Sequence, residues 1–135
     1  MSSGPSARST GGDRAGAVKA ARSVESRPVE AGTATEVRVL LGEDDGAPNF
    51  AMRLFTMGEG GGMPRHVNRV EHEQYVVSGR AHVKIADEVH EVASGDVLYI
   101  PAHTPHSYEV VEAPFEFLCV VPNEEDEIRI VEEPG

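Results

Sequence analysis

Three of the chain's six histidines, His66, His72 and His106, each stand at the edge of a β-type run beside a turn signal. Such edges are where the mouth of a β-barrel lies. Along an extended chain alternate residues share a face, so His66, Asn68, His72 and Gln74 project to one side while Glu71, Glu73 and Tyr75 project to the other. One segment therefore offers two or three donors to a single ion. A further imidazole from His106, on a strand paired nearby, completes a three-histidine face with positions left for water or substrate. Imidazole donors suit one divalent transition metal, with Fe, Mn and Zn as the candidates. Asn68 is the weaker donor of the set, because a neutral amide oxygen binds a transition metal less well than imidazole; it ligates weakly, holds a metal-bound water, or does neither.

The remaining reactive side chains read more plainly. His82 and His90 lie on a hairpin, Ala81–Val92, among polar neighbours and are expected to face solvent. His103, between Pro101 and His106, reads as a loop histidine facing water, with a place at the barrel mouth as the alternative. Glu71 and Glu73 are either acceptors that orient the imidazoles or paired surface acids. Cys119 sits in the apolar run Phe115–Val121 and reads as a buried, inert thiol that can form no intramolecular disulfide. No Ser-His-Asp or Cys-His nucleophile is visible. The glycines have no G-K-[ST] or strand-to-helix context and are not a phosphate cradle.

These residues must be positioned by strands. From Glu36 onward the pattern is short β-type runs broken by turn residues, which is how an all-β sandwich or barrel reads. The predicted strands are Glu36–Leu41, Asn49–Met57, Glu73–Val77, Ala81–Ile85, Glu88–Val92, Asp96–Ile100, Ser107–Val111, Phe115–Val121 and Glu127–Val131. Turn signals separate almost all of them, notably Gly58 to Gly62, Ser78-Gly79 and Glu112-Ala113-Pro114. Alternation puts Phe115, Phe117, Cys119 and Val121 on one face of their run. Met52, Leu54, Tyr75, Ile100, Tyr108 and Phe117 are candidates for an apolar lining or core, a pocket suited to a small, weakly charged ligand. Arg53 or Arg65, if inward, would favour a carboxylate instead. No internal repeat appears, so one barrel is expected.

Residues 1–34 are rich in Ser, Gly, Ala and Arg with little apolar periodicity, and are expected to form a disordered tail ahead of a single domain over 35–135. A transit peptide has a similar composition; the tail is the simpler reading. The whole chain carries a formal net charge of −11, and since residues 1–30 hold five basic and three acidic groups, residues 31–135 carry −13. Phosphate binding needs clustered Lys and Arg, so a nucleic-acid partner is not expected. No apolar run approaches the ~18 residues of a membrane span, and the N-terminus lacks the apolar stretch of a secretory signal. The cytoplasm is the expected location.

Two glycine-framed segments sharpen the reading. The chain resembles the cupin superfamily, whose motifs are G-x5-H-x-H-x(3,4)-E-x6-G and G-x5-P-x-G-x2-H-x3-N. Gly60, His66 and Gly79 fall on the first frame, with Asn68 in the second histidine slot and His72 in the glutamate slot. Gly95, Pro101 and His106 fall on the second, with His103 and Val110 in its glycine and asparagine slots. The stretch from Val70 to Val77 is similar to a subgroup of small cupins in which a histidine replaces the glutamate ligand. The resemblance spans residues 36–131 and implies an all-β, single jelly-roll barrel with one metal on His66, His72 and His106. It further implies a metal-dependent enzyme acting on a small organic molecule, first a dioxygenase that uses O2. Metal-assisted isomerisation or cyclisation is the alternative, for which His103 or Glu73 would supply the base. A non-enzymatic ligand-binding module is the reading from a different class. A homodimer joined through edge strands is also implied.

Overall fold

β-branched and aromatic residues in two-residue alternation give this chain strands almost throughout. The computed structural model describes residues 16–132. Its strands are β1 (Arg27–Pro28), β2 (Thr33–Leu41), β3 (Phe50–Asn68), β4 (His72–Ile85), β5 (Glu88–Ala93), β6 (Val97–Ile100), β7 (His106–Pro122) and β8 (Ile128–Ile130), with short 3-10 turns at Ala21–Ser23 and Glu43–Asp45. All pairings are antiparallel, in the order β1-β2-β3-β7-β4-β5, with β6 on β4 and β8 on β3. This is the expected all-β jelly-roll barrel. No helix among the described residues is long and apolar enough to cross a membrane.

The strands differ from the predicted set in one systematic way. Asn49–Met57 continues through the glycines to Asn68, Glu73–Val77 joins Ala81–Ile85, and Ser107–Val111 joins Phe115–Val121. The glycines act as bulges rather than reversals. Gly62 and Gly79 take φ of +154° and +78°, and the registers of β3 and β4 shift beside them. At each a Cβ would collide with backbone carbonyl oxygen: that of Tyr108 for Gly62, and that of Pro114 for Gly79. The strands bend there and cross closely, and each of the three serves both walls of the barrel.

Inside, Met57, Val76, Ala81, Val83, Phe115 and Cys119 are fully buried. Phe117 stacks between Phe55 and Tyr108, with centroids 5.1 and 5.2 Å away and rings within 12° of parallel. The predicted inward set of the last long run, Phe115, Phe117, Cys119 and Val121, is buried as a group. Of the other lining candidates, Ile100 and Tyr108 are buried inside, Leu54 is buried on the alternate face of β3, and Tyr75 is 48% exposed. Glu116 is also buried, beneath Arg22 and the hydroxyls of Thr56 and Ser78.

The segment expected to be a tail divides in two. Residues 1–15 lie outside the described residues, whereas residues 16–34 run along the barrel. Arg27–Pro28 pairs with β2, Lys19 meets Asp45 at 2.8 Å, Arg22 meets Glu116 at 2.9 Å, and the Arg38 Nε donates to the carbonyl of Val24. Val29 and Ala31 pack on the core. Scattered polar anchors hold this stretch, so it carries no hydrophobic period that composition could reveal.

Candidate metal centre

The three histidines converge because the long strands start and end at the same mouth. His66 lies near the end of β3 and His106 opens β7, directly opposite it in register; His72 opens β4, beside Ile100 of β6. All three are buried, at 3%, 6% and 1% exposure for His66, His72 and His106. The ring centroids of His66 and His106 are 4.2 Å apart, and that of His72 lies 5.9 Å from His106.

Hydrogen bonding leaves the imidazole nitrogens ready for a ligand. The Nδ1–H of His66 donates to the carbonyl of Pro64 at 2.8 Å, and that of His106 to Thr104 at 2.9 Å. A carbonyl can only accept, so both rings carry the proton on Nδ1 and keep a lone pair on Nε2. The buried Nε2 of His106 and both nitrogens of His72 have no partner. Burial, before any neighbouring charge, pushes all three pKa values down: His66 below its ordinary value, His106 to about 4 and His72 to about 3. Arg53 adds to the effect on His72, and the histidines add to one another. At neutral pH the imidazoles are neutral, and each keeps one unprotonated ring nitrogen.

Asn68 completes the wall. Its Nδ2 donates to Asp126 at 3.1 Å, and the other Asp126 oxygen accepts the backbone N–H of Arg69 at 2.8 Å. A carboxylate accepts only, which fixes the amide orientation and leaves the buried Asn68 Oδ1 unpartnered. Four uncharged side chains thus line one cavity of about 40 Å3 together with Arg53, Gln74 and Tyr108. The Tyr108 hydroxyl lies 2.8 and 3.1 Å from the two amide atoms of Gln74, and burial raises its pKa. Among the described residues no three His, Cys, Asp or Glu side chains are already drawn around one point. The orphaned nitrogens and the Asn68 oxygen nonetheless match the donor types a borderline metal takes.

The other sequence candidates fall elsewhere. Glu73 is on the outer face of β4, opposite His72 and Gln74, with Glu71 holding its pKa up. His103 sits at φ +66° in the loop before β7, its N–H donating to the Asn68 carbonyl at 2.8 Å, and its side chain lies in a separate groove with Arg69, Glu127 and Arg129. Neither is among the residues that line the cavity: His103 is exposed on its loop, the first of the two places expected for it, and Glu73 is exposed as a surface acid. His82 and His90 are exposed, and Arg65 reaches the Glu132 carbonyl instead of the cavity. Cys119 is buried as expected, though the Arg53 Nη2 and Gln74 Nε2 approach its sulfur at 3.3 and 3.5 Å. Sequence reasoning missed Asp126, which lies in the acidic run Glu124–Glu127 and looks like surface charge.

Comparison with known proteins bears on the family and the fold. Over 62 residues the chain is 37% identical to a quercetin 2,3-dioxygenase of Bacillus subtilis, a stretch that is 45% of this chain and 18% of that protein. The polyketide cyclase RemF from Streptomyces resistomycificus superposes with a TM-score of 0.77 at 28% identity, covering 85% of this chain and 84% of the other. A cupin-2 domain of Rhodospirillum rubrum, Rru_A2000, shares the fold with a TM-score of 0.70 at 24% identity over 82% and 77% of the two chains. The family model described as Cupin domain matches residues 53–121. With that match covering half of its length, and the barrel and histidine cluster in place, this chain belongs to the cupin domain family.

Proposed function

We propose that this barrel is a metal-dependent enzyme acting on a small organic molecule, with one divalent Fe, Mn or Zn ion held by His66, His72 and His106 and faced by the Asn68 amide oxygen. One observation carries the reading: buried ring nitrogens of the neutral His72 and His106 and the Asn68 amide oxygen, all without partners among the described residues, share one cavity. Leaving such groups unpaired costs about 1–3 kcal/mol each, a cost a bound cation removes. Such an ion supplies Lewis acidity and, for Fe or Mn, redox chemistry. The protein's own part is to hold these donors neutral, to orient His66 and His106 through the Pro64 and Thr104 carbonyls, and to exclude water with Phe55, Met57, Met63 and Phe117. An all-neutral donor set leaves the ion's charge for an anionic or chelating substrate.

Oxygen-dependent cleavage is the first reaction proposed, supported by the likeness to the dioxygenase. Cyclisation or isomerisation is the second, favoured by the match to the polyketide cyclase along most of both chains. With Glu73 and His103 outside the cavity, a base for that reaction would come from the histidine cluster or the substrate. Metal analysis of protein purified without chelators, coupled to oxygen uptake against β-diketones, catechols and 2-hydroxy acids, separates the two. His66→Ala and His72→Ala should each lose the ion, and Asn68→Ala should change affinity less. Absence of stoichiometric metal refutes the enzyme reading.

A further inference from the structure

Among the described residues that line the cavity, Arg53 is the one side chain with a permanent positive charge, and none is a carboxylate. It lies on β3 opposite Cys119, and its Nη2 approaches that sulfur at 3.3 Å. A neutral thiol is a weak acceptor and cannot balance a guanidinium. The guanidinium carbon stands over the Phe55 ring, 5.0 Å from its centroid, a cation–π contact. Its buried Nε has no partner. The side chain is part-buried, and a guanidinium that faces a cavity without a counter-charge is at home where a ligand brings the charge in.

We propose that Arg53 makes this cavity a receptor for a small planar organic oxyanion, a carboxylate or an enolate, and so sets the substrate class. The inference rests on the cavity being the active site and deepens that reading. Arg53 binds the oxyanion through charge-assisted hydrogen bonds from its planar fork, while the histidine cluster stands across the same small space. Neutral analogues of the same shape leave the fork unpaired and are rejected.

The test follows the Arg53 Nε–H resonance in 15N NMR, assigned by its loss in Arg53→Lys, during titration with acetate, acetylacetonate and neutral acetamide. The expected result is that acetate or acetylacetonate shifts the resonance and binds at least about tenfold more tightly than acetamide, and that Arg53→Gln weakens anion binding about ten- to hundredfold. The arm that binds more tightly identifies the source as a carboxylate or an enolate. A resonance unmoved by either anion, or a folded Arg53→Gln protein with undiminished affinity, overturns the proposal. Should Arg53→Gln fail to fold, Arg53→Lys carries the test: loss of the planar fork lowers affinity severalfold, and unchanged affinity overturns it. Titrating chelator-stripped and Zn-loaded protein separates this from the metal reading. Protein that takes up no Zn yet binds anions through Arg53 refutes only the metal, and Zn-binding protein in which Arg53 stays silent refutes only the receptor.

Discussion

Acidification should destabilise the metal-free protein well before its carboxylates are neutralised. His72 and His106 have pKa values of about 3 and about 4 in the folded state against an ordinary 6.5. The unfolded chain therefore binds more protons than the folded one between those values and 6.5, so stability is full above about pH 6.5 and falls as pH drops. At pH 5.0 both imidazoles are protonated when unfolded and neutral when folded. Each then costs about 1.5 pH units' worth of linkage, or ~2 kcal/mol, and the pair ~4 kcal/mol, a large share of a small domain's stability. His66 acts in the same direction. Glu116, whose pKa lies below its ordinary 4.5, acts in a lower window and does not confuse the measurement. Urea unfolding of chelator-treated protein, followed by far-UV circular dichroism at pH 7.5 and 5.0, measures the difference. His72→Gln should remove about half of the pH dependence. A loss under ~1 kcal/mol in the unsubstituted protein, or a His72→Gln protein with the full dependence, would refute the linkage argument.

Three further outcomes test other parts of the barrel. Asp126→Asn frees the Asn68 amide and should weaken metal affinity by about tenfold in competition titrations, with little change in secondary structure. Glu116→Gln breaks the ion pair with Arg22 but keeps a partner for Thr56 and Ser78; because Arg22 is largely exposed, the loss should be only about 1 kcal/mol by urea unfolding. That contribution is present at neutral pH and disappears as Glu116 protonates in acid. Gly79→Ala adds a Cβ against the Pro114 carbonyl at a φ of +78°, and should lower stability by about 2 kcal/mol or more in thermal or urea unfolding.

The fold was legible because strand alternation is a local signal. Phe115, Phe117, Cys119 and Val121 share a face in sequence and in space. In sequence β4 and β7 read as pairs of short strands and β3 only as far as Met57, since a residue that bends a strand and one that reverses it look the same there; only the crossing backbone near Gly62 and Gly79 distinguishes the two for the glycines. Among the candidate site residues, the side of β4 was visible: His72 and Gln74 fall together and Glu73 apart. His103 depended on a loop conformation with no periodic signature. Asp126 reaches Asn68 across 58 residues, and Arg22 reaches Glu116 across 94. No spacing rule could connect either pair, because chain closure in the barrel creates them.

The pairing of His66 directly opposite His106 ties the chemistry of the mouth to the assembly of the chain. These two residues pair beyond the bend at Gly60 to Gly62, apart from the Phe50–Met57 stretch of the same strand that pairs with Phe115–Pro122, and His72 enters from a third strand. A slip of one residue in any of these pairings would turn an imidazole from the cavity to the solvent face. The histidine cluster is therefore a proofreading mark for strand alignment: a misregistered barrel that buries as much oil still cannot bring these three rings together.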